Sequence, residues 1–114
     1  QAMAVVALKD LQDEFVTPKH STAFGKLITG EHIEIGILKY KAGEGANMHS
    51  HPHEQISIIL SGRSRVTLNG EVFEVGPGEA VHIPPNVPHR VEIIEDSEVI
   101  SAKSIIGGDG HRIG

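Results

Sequence analysis

The chain has 114 residues, enough for one domain with its own core and too few for two ordinary ones. A formal net charge of −5 leaves no basic footprint for nucleic acid or an anionic membrane. The absence of cysteine excludes a disulfide framework, a thiolate metal site and a thiol nucleophile.

Hydrophobic residues make up 39% but aromatic ones only 4%, with no tryptophan, so Ile, Val, Leu and Ala must build the core. Such a β-branched set leans towards strands. No apolar run approaches transmembrane length and nothing at the N-terminus reads as a signal peptide, which points to a cytoplasmic protein. Gln1-Ala2 ahead of Met3 reads as a remnant of expression.

In chain order, Leu8 to Phe15 reads as one short helical turn with Leu8, Leu11 and Phe15 on one side. From Ala23 to Tyr40 the pattern is β. Ile33, Ile35 and Ile37 alternate with His32, Glu34 and Gly36, then Leu38 and Tyr40 take the opposite parity. That change beside Gly36 predicts a β-bulge or a strand buried on both faces. Gln55 to Leu60 is a strand closed by Ser61-Gly62. Val66–Leu68 and Glu71–Val75 flank Asn69-Gly70, the preferred pair for a two-residue type I′ hairpin turn, because both residues tolerate positive φ. Gly76-Pro77-Gly78 is a turn, Ala80–Ile83 a short strand and Pro84–Pro88 a stiff loop. His89–Ile93 and Val99–Ile106 follow as strands, and the glycine-rich stretch 107–114 reads as a flexible tail. Many short strands at regular spacing with almost no helix predict an all-β sandwich or barrel, one domain over 1–114.

Parity sorts the faces. Ser64, Val66 and Leu68 should point inward, as should Phe73, Val75, Val91 and Ile93. Arg63, Arg65 and Thr67 then point outward with Arg90 and Glu92, so the two arginines are read as a solvated face and not as substrate clamps. Ser57 and Ile59 follow Gln55 inward, yet their outward neighbours Ile56, Ile58 and Leu60 are apolar too. A strand apolar on both faces has to be covered on both, and a second subunit is the simplest cover, which predicts a homodimer.

Eight histidines are the one departure from ordinary usage, and His49, His51 and His53 fall within five residues. The i, i+2 spacing of His49 and His51 places two imidazoles on one face of a strand, about 6.5–7 Å apart at Cα, close enough to share an ion. Gln55, four residues on, would offer a neutral amide oxygen from the same face. His89 opens a separate strand and could close the shell from the opposite sheet. A lone histidine is more often a surface or satisfied core residue, and His20, His32 and His111 are read that way.

The spacings carry further weight together. Gly43 is followed by five residues and His49, one and His51, three and Gln55, six and Gly62; later Gly78 is followed by five and Pro84, one and Asn86, two and His89. These two stretches, 43–62 and 78–93, resemble the paired motifs of the cupin superfamily. The resemblance implies a jelly-roll β-barrel of two antiparallel sheets with little helix, holding a metal on His49, His51, Gln55 and His89, and pairing through a sheet face as many cupins do. Three departures stand out: Gln55 where glutamate is usual, Asn86 for glycine and Ile93 for asparagine. With three histidines and an amide, a divalent metal keeps its charge, becomes a stronger Lewis acid and favours an anionic ligand. Ligand type admits Mn, Fe, Ni, Zn, Co or Cu. His53, after Pro52, is read as supporting the site or lying on its rim, and Glu54 as pointing away.

Four protein ligands on an octahedral metal leave two positions for a small substrate. Tyr40, His53 and His82 are the candidate proton-transfer groups, His82 with the alternative of capping a hairpin end. Lys103 joins Tyr40, His53 and His82 as a candidate pocket-lining polar group, with a solvated surface lysine as the more usual alternative, and Met48 is read as mouth or core. The expected function is metal-dependent chemistry on a small anionic metabolite such as a sugar acid, by isomerisation, ring opening or lyase action, since the ligand set also looks like that of cupins that linearise unsaturated uronates. An iron-dependent dioxygenase and a non-catalytic sensor barrel are the alternatives.

Overall fold

The structure is a computed structural model and describes residues 4–112; Gln1 to Met3 and the end of the tail at 113–114 lie outside the described residues. A 3₁₀ turn at Leu8–Asp10 replaces the longer helical turn, and Phe15 belongs instead to the first strand. Eight strands follow: β1 (Glu14–Phe15), β2 (Phe24–Thr29), β3 (Ile33–Tyr40), β4 (Gly45–His49), β5 (Gln55–Leu68), β6 (Glu71–Val75), β7 (Ala80–Ile83) and β8 (His89–Ser104).

All pairings between these strands are antiparallel. The expected two sheets are joined by two long strands. β5 does not stop at Ser61-Gly62, and the separate strands expected at 89–93 and 99–106 are one, β8. The first half of β5 pairs with β7 and the last part of β8, which also pairs with β3; the second half of β5 pairs with β6 and the first part of β8, which also pairs with β4. β5 and β8 thus run through both walls of the barrel. Their ladder shifts register three times between Ile59 and Ser64, where the strands turn from one wall to the other.

Gly62 occupies that bend at φ 86°, and a Cβ there would fall on Ser97 Oγ and the Asp96 carbonyl. Gly62→Ala combines a left-handed backbone with a steric clash, so it should cost about 2–4 kcal/mol in denaturant unfolding. Wild-type stability in that variant would mean the bend does not need glycine. The Asn69-Gly70 turn has both residues at positive φ, 48° and 85°, as a type I′ hairpin requires.

The core comprises residues such as Val16, Leu38, Ile59, Val66, Ile83 and Val99. On β3 the buried parity is Glu34, Gly36 and Leu38, with Tyr40 partly buried against the core, while Ile33, Ile35 and Ile37 lie on the outer face. There is no bulge at Gly36: the ladders to β2 and β8 run without a shift. Val75 and Ile93 are buried and Val91 packs on the core, but Phe73 is exposed near the tip of the β5–β6 hairpin, beyond what the barrel covers. Arg63 and Arg65 face outward. Ile56, Ile58 and Leu60 are 43%, 43% and 48% exposed, forming an apolar row on one outer wall.

The tail contradicts the sequence reading most. Residues 107–112 fold back on the barrel: Ile106 and Asp109 form a β-bridge, Thr17 Oγ1 donates to the His111 carbonyl, and Arg112 holds Glu14 through two hydrogen bonds of 2.8 Å. His111 is among the most buried side chains of the described residues. Folding back satisfies polar groups inside the barrel that a frayed tail would leave without partners.

Candidate metal centre

His49 is the last residue of β4 and His89 the first of β8, and the two are cross-strand partners. His51 is not on a strand. β4 ends at His49, and His51 lies in the loop to β5, so the imidazoles converge through a turn and not by sharing one strand face. That loop is held by the Asn86 N–H, which donates to the His51 carbonyl at 2.7 Å. Asn86 sits at φ 64°, a left-handed conformation that asparagine tolerates better than most side-chain-bearing residues, which explains how it replaces glycine. Gln55 opens β5.

One ring nitrogen from each of His49, His51 and His89 lies within 4.8 Å of the others. Their protonation is dictated by the backbone. Nδ1 of His49 faces the Asn47 carbonyl (2.7 Å), that of His51 the His53 carbonyl (2.9 Å) and that of His89 the Val87 carbonyl (2.9 Å). A carbonyl only accepts, so each Nδ1 carries the hydrogen and each Nε2 presents a lone pair. Burial lowers the pKa of all three, His51 to about 4 with the Lys103 charge adding to the effect, and neutral imidazole is the ligating form.

The orientation of Gln55 follows from a chain that starts on the far wall. Glu34 is buried on β3 and accepts from Thr29 Oγ1 (2.6 Å), the His111 backbone N–H (2.6 Å) and His111 Nδ1 (2.7 Å). Burial, the largest influence, would raise its pKa, but these donated bonds outweigh it and hold the carboxyl below its ordinary value. Burial and the Lys103 charge push His111 down to about 4. The contact is therefore a neutral imidazole donating to a carboxylate. His111 Nε2 is then an acceptor and takes the Ser101 hydroxyl hydrogen (3.1 Å), so Ser101 Oγ accepts from Gln55 Nε2 (2.9 Å), which also reaches Ser57 Oγ (3.3 Å). The amide nitrogen is committed, and Oε1 is left facing His51 Nε2 at 3.1 Å.

That contact tests whether the residues fit a metal. Both atoms are acceptors and neither has a hydrogen to give, so a cation between them resolves the repulsion. Two ligands at about 2.1 Å and a right angle lie about 3 Å apart, which matches. The donor set of three imidazoles and one oxygen suits a divalent transition metal.

Three of the four candidate ligands, His49, Gln55 and His89, line a cavity of about 70 Å³, whose lining also includes Ser21, Tyr40, Lys103 and His111 but no carboxylate among the described residues. Tyr40 Oη lies 3.4 Å from Ser21 Oγ, and burial raises the phenol's pKa, so it stays protonated. His53 is buried but lies off that lining: Nε2 donates to the Asp109 carbonyl (2.8 Å), and Nδ1 has no partner among the described residues. It supports His51 through its carbonyl and ties the ligand loop to the tail. His82 is turned away. β7 sends Val81 and Ile83 inward, so His82 is exposed on the outer wall, paired with Glu54 at 2.7 Å. Met48 is also exposed.

Two residues near the site, His20 and Glu34, were not singled out from the sequence. His20 stacks on His49, ring centroids 4.5 Å apart and planes 2° from parallel. Glu34 anchors the chain to Gln55. Lys103, one of the candidate pocket-lining groups, does line the cavity; it is only 4% exposed, and burial lowers its pKa to about 8.

The depressed histidines predict a pH response of the metal-free protein. Unfolded histidine titrates near 6.5, and His51 and His111 near 4 when folded, so the unfolded chain binds more protons in between. Stability should be full above pH 6.5 and fall towards pH 4, each unit of depression being worth about 1.4 kcal/mol. Denaturant melts from pH 7 to pH 4 check this; a flat profile would contradict it.

The cupin-domain family model matches residues 36–101, more than half of the chain, and the chain belongs to that family. Among curated relatives, mannose-1-phosphate guanylyltransferase ManC of Salmonella typhimurium is 31% identical over 70 residues, 60% of this chain and 15% of that protein. Protein MJ1618 of Methanocaldococcus jannaschii is 43% identical over 53 residues, 46% of this chain and 42% of that protein. The chain thus matches less than half the length of either. Among solved structures, an RmlC-like cupin from Shewanella frigidimarina superposes with a TM-score of 0.80 at 17% identity, covering 94% of this chain and 95% of that one. KdgF from Halomonas gives 0.78 at 24% identity, covering 90% and 94%. No helix among the described residues is long and apolar enough to cross a membrane.

Proposed function

We propose that this cupin holds one divalent transition metal on His49, His51, Gln55 and His89 and acts on a small anionic metabolite such as a sugar acid, by isomerisation, ring opening or lyase chemistry. The observation that carries the reading is the convergence of three neutral imidazole nitrogens and an amide oxygen on one point beside a cavity without a lining carboxylate. When bound, the metal supplies Lewis-acid polarisation of a carbonyl or carboxylate oxygen.

The chain's own groups do the rest. The backbone carbonyls of Asn47, His53 and Val87 orient the ligands, and the protonated Tyr40 hydroxyl offers a proton donor to the cavity. Relatives on this fold include a polyketide cyclase, RemF of Streptomyces resistomycificus, and a protein described as a sugar phosphate isomerase, which is compatible with non-oxidative chemistry.

The test uses protein stripped of metal and reloaded singly with Mn, Fe, Co, Ni, Cu or Zn, offered hydroxy, oxo and uronic acids under nitrogen and in air. Turnover under nitrogen that disappears with chelator supports the proposal. Oxygen consumption with iron would replace it with a dioxygenase, and binding without turnover by any metal with a sensor barrel. The reading includes a homodimer covering Ile56, Ile58 and Leu60. Sedimentation should give twice the chain mass, and Ile58→Lys should give monomer.

A further inference from the structure

Lys103 has no place in the ligand set, yet the residue is only 4% exposed and lines the cavity. Its position is built in by the sheet: β8 buries Ser97, Val99, Ser101 and Lys103 in strict alternation, and Lys103 is the cross-strand partner of Gln55 on one side and of Glu34 on the other. A buried ammonium needs acceptors, since its desolvation is otherwise uncompensated. Among the described residues no hydrogen bond or ion pair is formed by the Lys103 ammonium, although its backbone is paired in the sheet. The one buried carboxylate nearby, Glu34, has its oxygens engaged by Thr29 and His111. Among the described residues no acidic group lines the cavity, and the ligand set is neutral.

We propose that Lys103 is a substrate-anchoring residue: it takes the carboxylate of a small hydroxy- or oxo-acid whose second oxygen points at the imidazole nitrogens. This rests on the metal-centre reading above and adds which group of the ligand enters and what receives it. Charge supports it. A divalent ion and an ammonium share one small cavity whose protein lining supplies no anion, so the ligand must supply it. Size supports it too: about 70 Å³ holds only a few water-sized groups. A larger acid enters by its carboxylate end, with the remainder outside. The tolerated cost of burying Lys103 is what a binding site retains at the expense of stability.

The experiment compares wild type with Lys103→Met and Lys103→Gln, each loaded with cobalt(II). The probes are glycolate and glycolamide, nearly equal in size and differing in charge. Metal content is read first, then binding by the cobalt visible spectrum and by calorimetry, then Tm of the unliganded proteins. The expected result has three parts. Wild type binds glycolate at least tenfold more tightly than glycolamide. Both variants keep the metal and lose that preference, binding glycolate at least tenfold more weakly. Lys103→Met melts higher than wild type, the opposite of what a lysine that braces the fold would give.

Variants that keep the wild-type preference would overturn the proposal, as would equal binding of both probes by wild type. Variants that lose metal or melt lower would make Lys103 structural and overturn it as well. Wild type that takes up no cobalt would instead overturn the metal-centre reading itself.

Discussion

Replacing His89 by alanine should lower metal affinity by at least about a hundredfold and leave the purified variant essentially metal-free. His89 presents Nε2 from the start of β8, opposite His49 in the ladder, with its Nδ1–H fixed on the Val87 carbonyl. Losing even a group that only supports a ligand typically costs 10–100-fold in affinity, and losing the ligand itself costs at least as much. His49→Ala should behave alike. His32→Ala is the control, because the His32 imidazole is exposed and sits 3.7 Å from Glu31 on the surface. Equilibrium dialysis with a chromophoric competitor reads all three. Unchanged affinity in the His89 and His49 variants, or equal loss in the control, would remove the site.

His111→Ala should cause the largest loss of stability, about 3–5 kcal/mol in denaturant unfolding. The substitution empties the space of a fully buried ring and removes one of the three donors to the buried Glu34 carboxylate, and a core cavity together with a lost hydrogen bond to a buried charge costs that much. It also frees the Ser101 hydroxyl and with it the Gln55 amide, so metal affinity should fall about 10–100-fold. Ser101→Ala separates the two effects. It leaves the Glu34–His111 pair intact, so it should cost only about 1 kcal/mol while still weakening the metal about tenfold. Normal metal affinity in both variants would mean that Gln55 needs no such support.

Much of the site was legible because motif spacing survives without knowledge of the backbone path. His49, His51, Gln55 and His89 do assemble, although through a loop at His51 that strand geometry alone would not have suggested. The cross-barrel partners were harder to read. Ile33, Ile35 and Ile37 look like an inward row, but a strand at an outer wall can carry apolar residues on its exposed side, and the true inward row holds Glu34. The parity of Val99, Ser101 and Lys103 was in the sequence and did place Lys103 inside. A lysine on an apolar strand face is simply a weaker cue than the ordinary preference of lysine for water. His82 shows the converse: its apolar neighbours Val81 and Ile83 mark the inward positions and so turn it outward. For the tail, 107–112, the glycines mimic disorder. Gly110, where a Cβ would press on Glu34, is there because the backbone passes close to that carboxylate.

X-ray absorption at the metal edge of protein purified without chelator tests the central claim most directly. About one transition metal per chain, with a first shell of nitrogen and oxygen at about 2.0–2.2 Å and the outer-shell scattering of three imidazoles, is the expected result. A metal-free protein that takes up none of Mn, Fe, Co, Ni, Cu or Zn, or a bound metal with no imidazole signature, would contradict it.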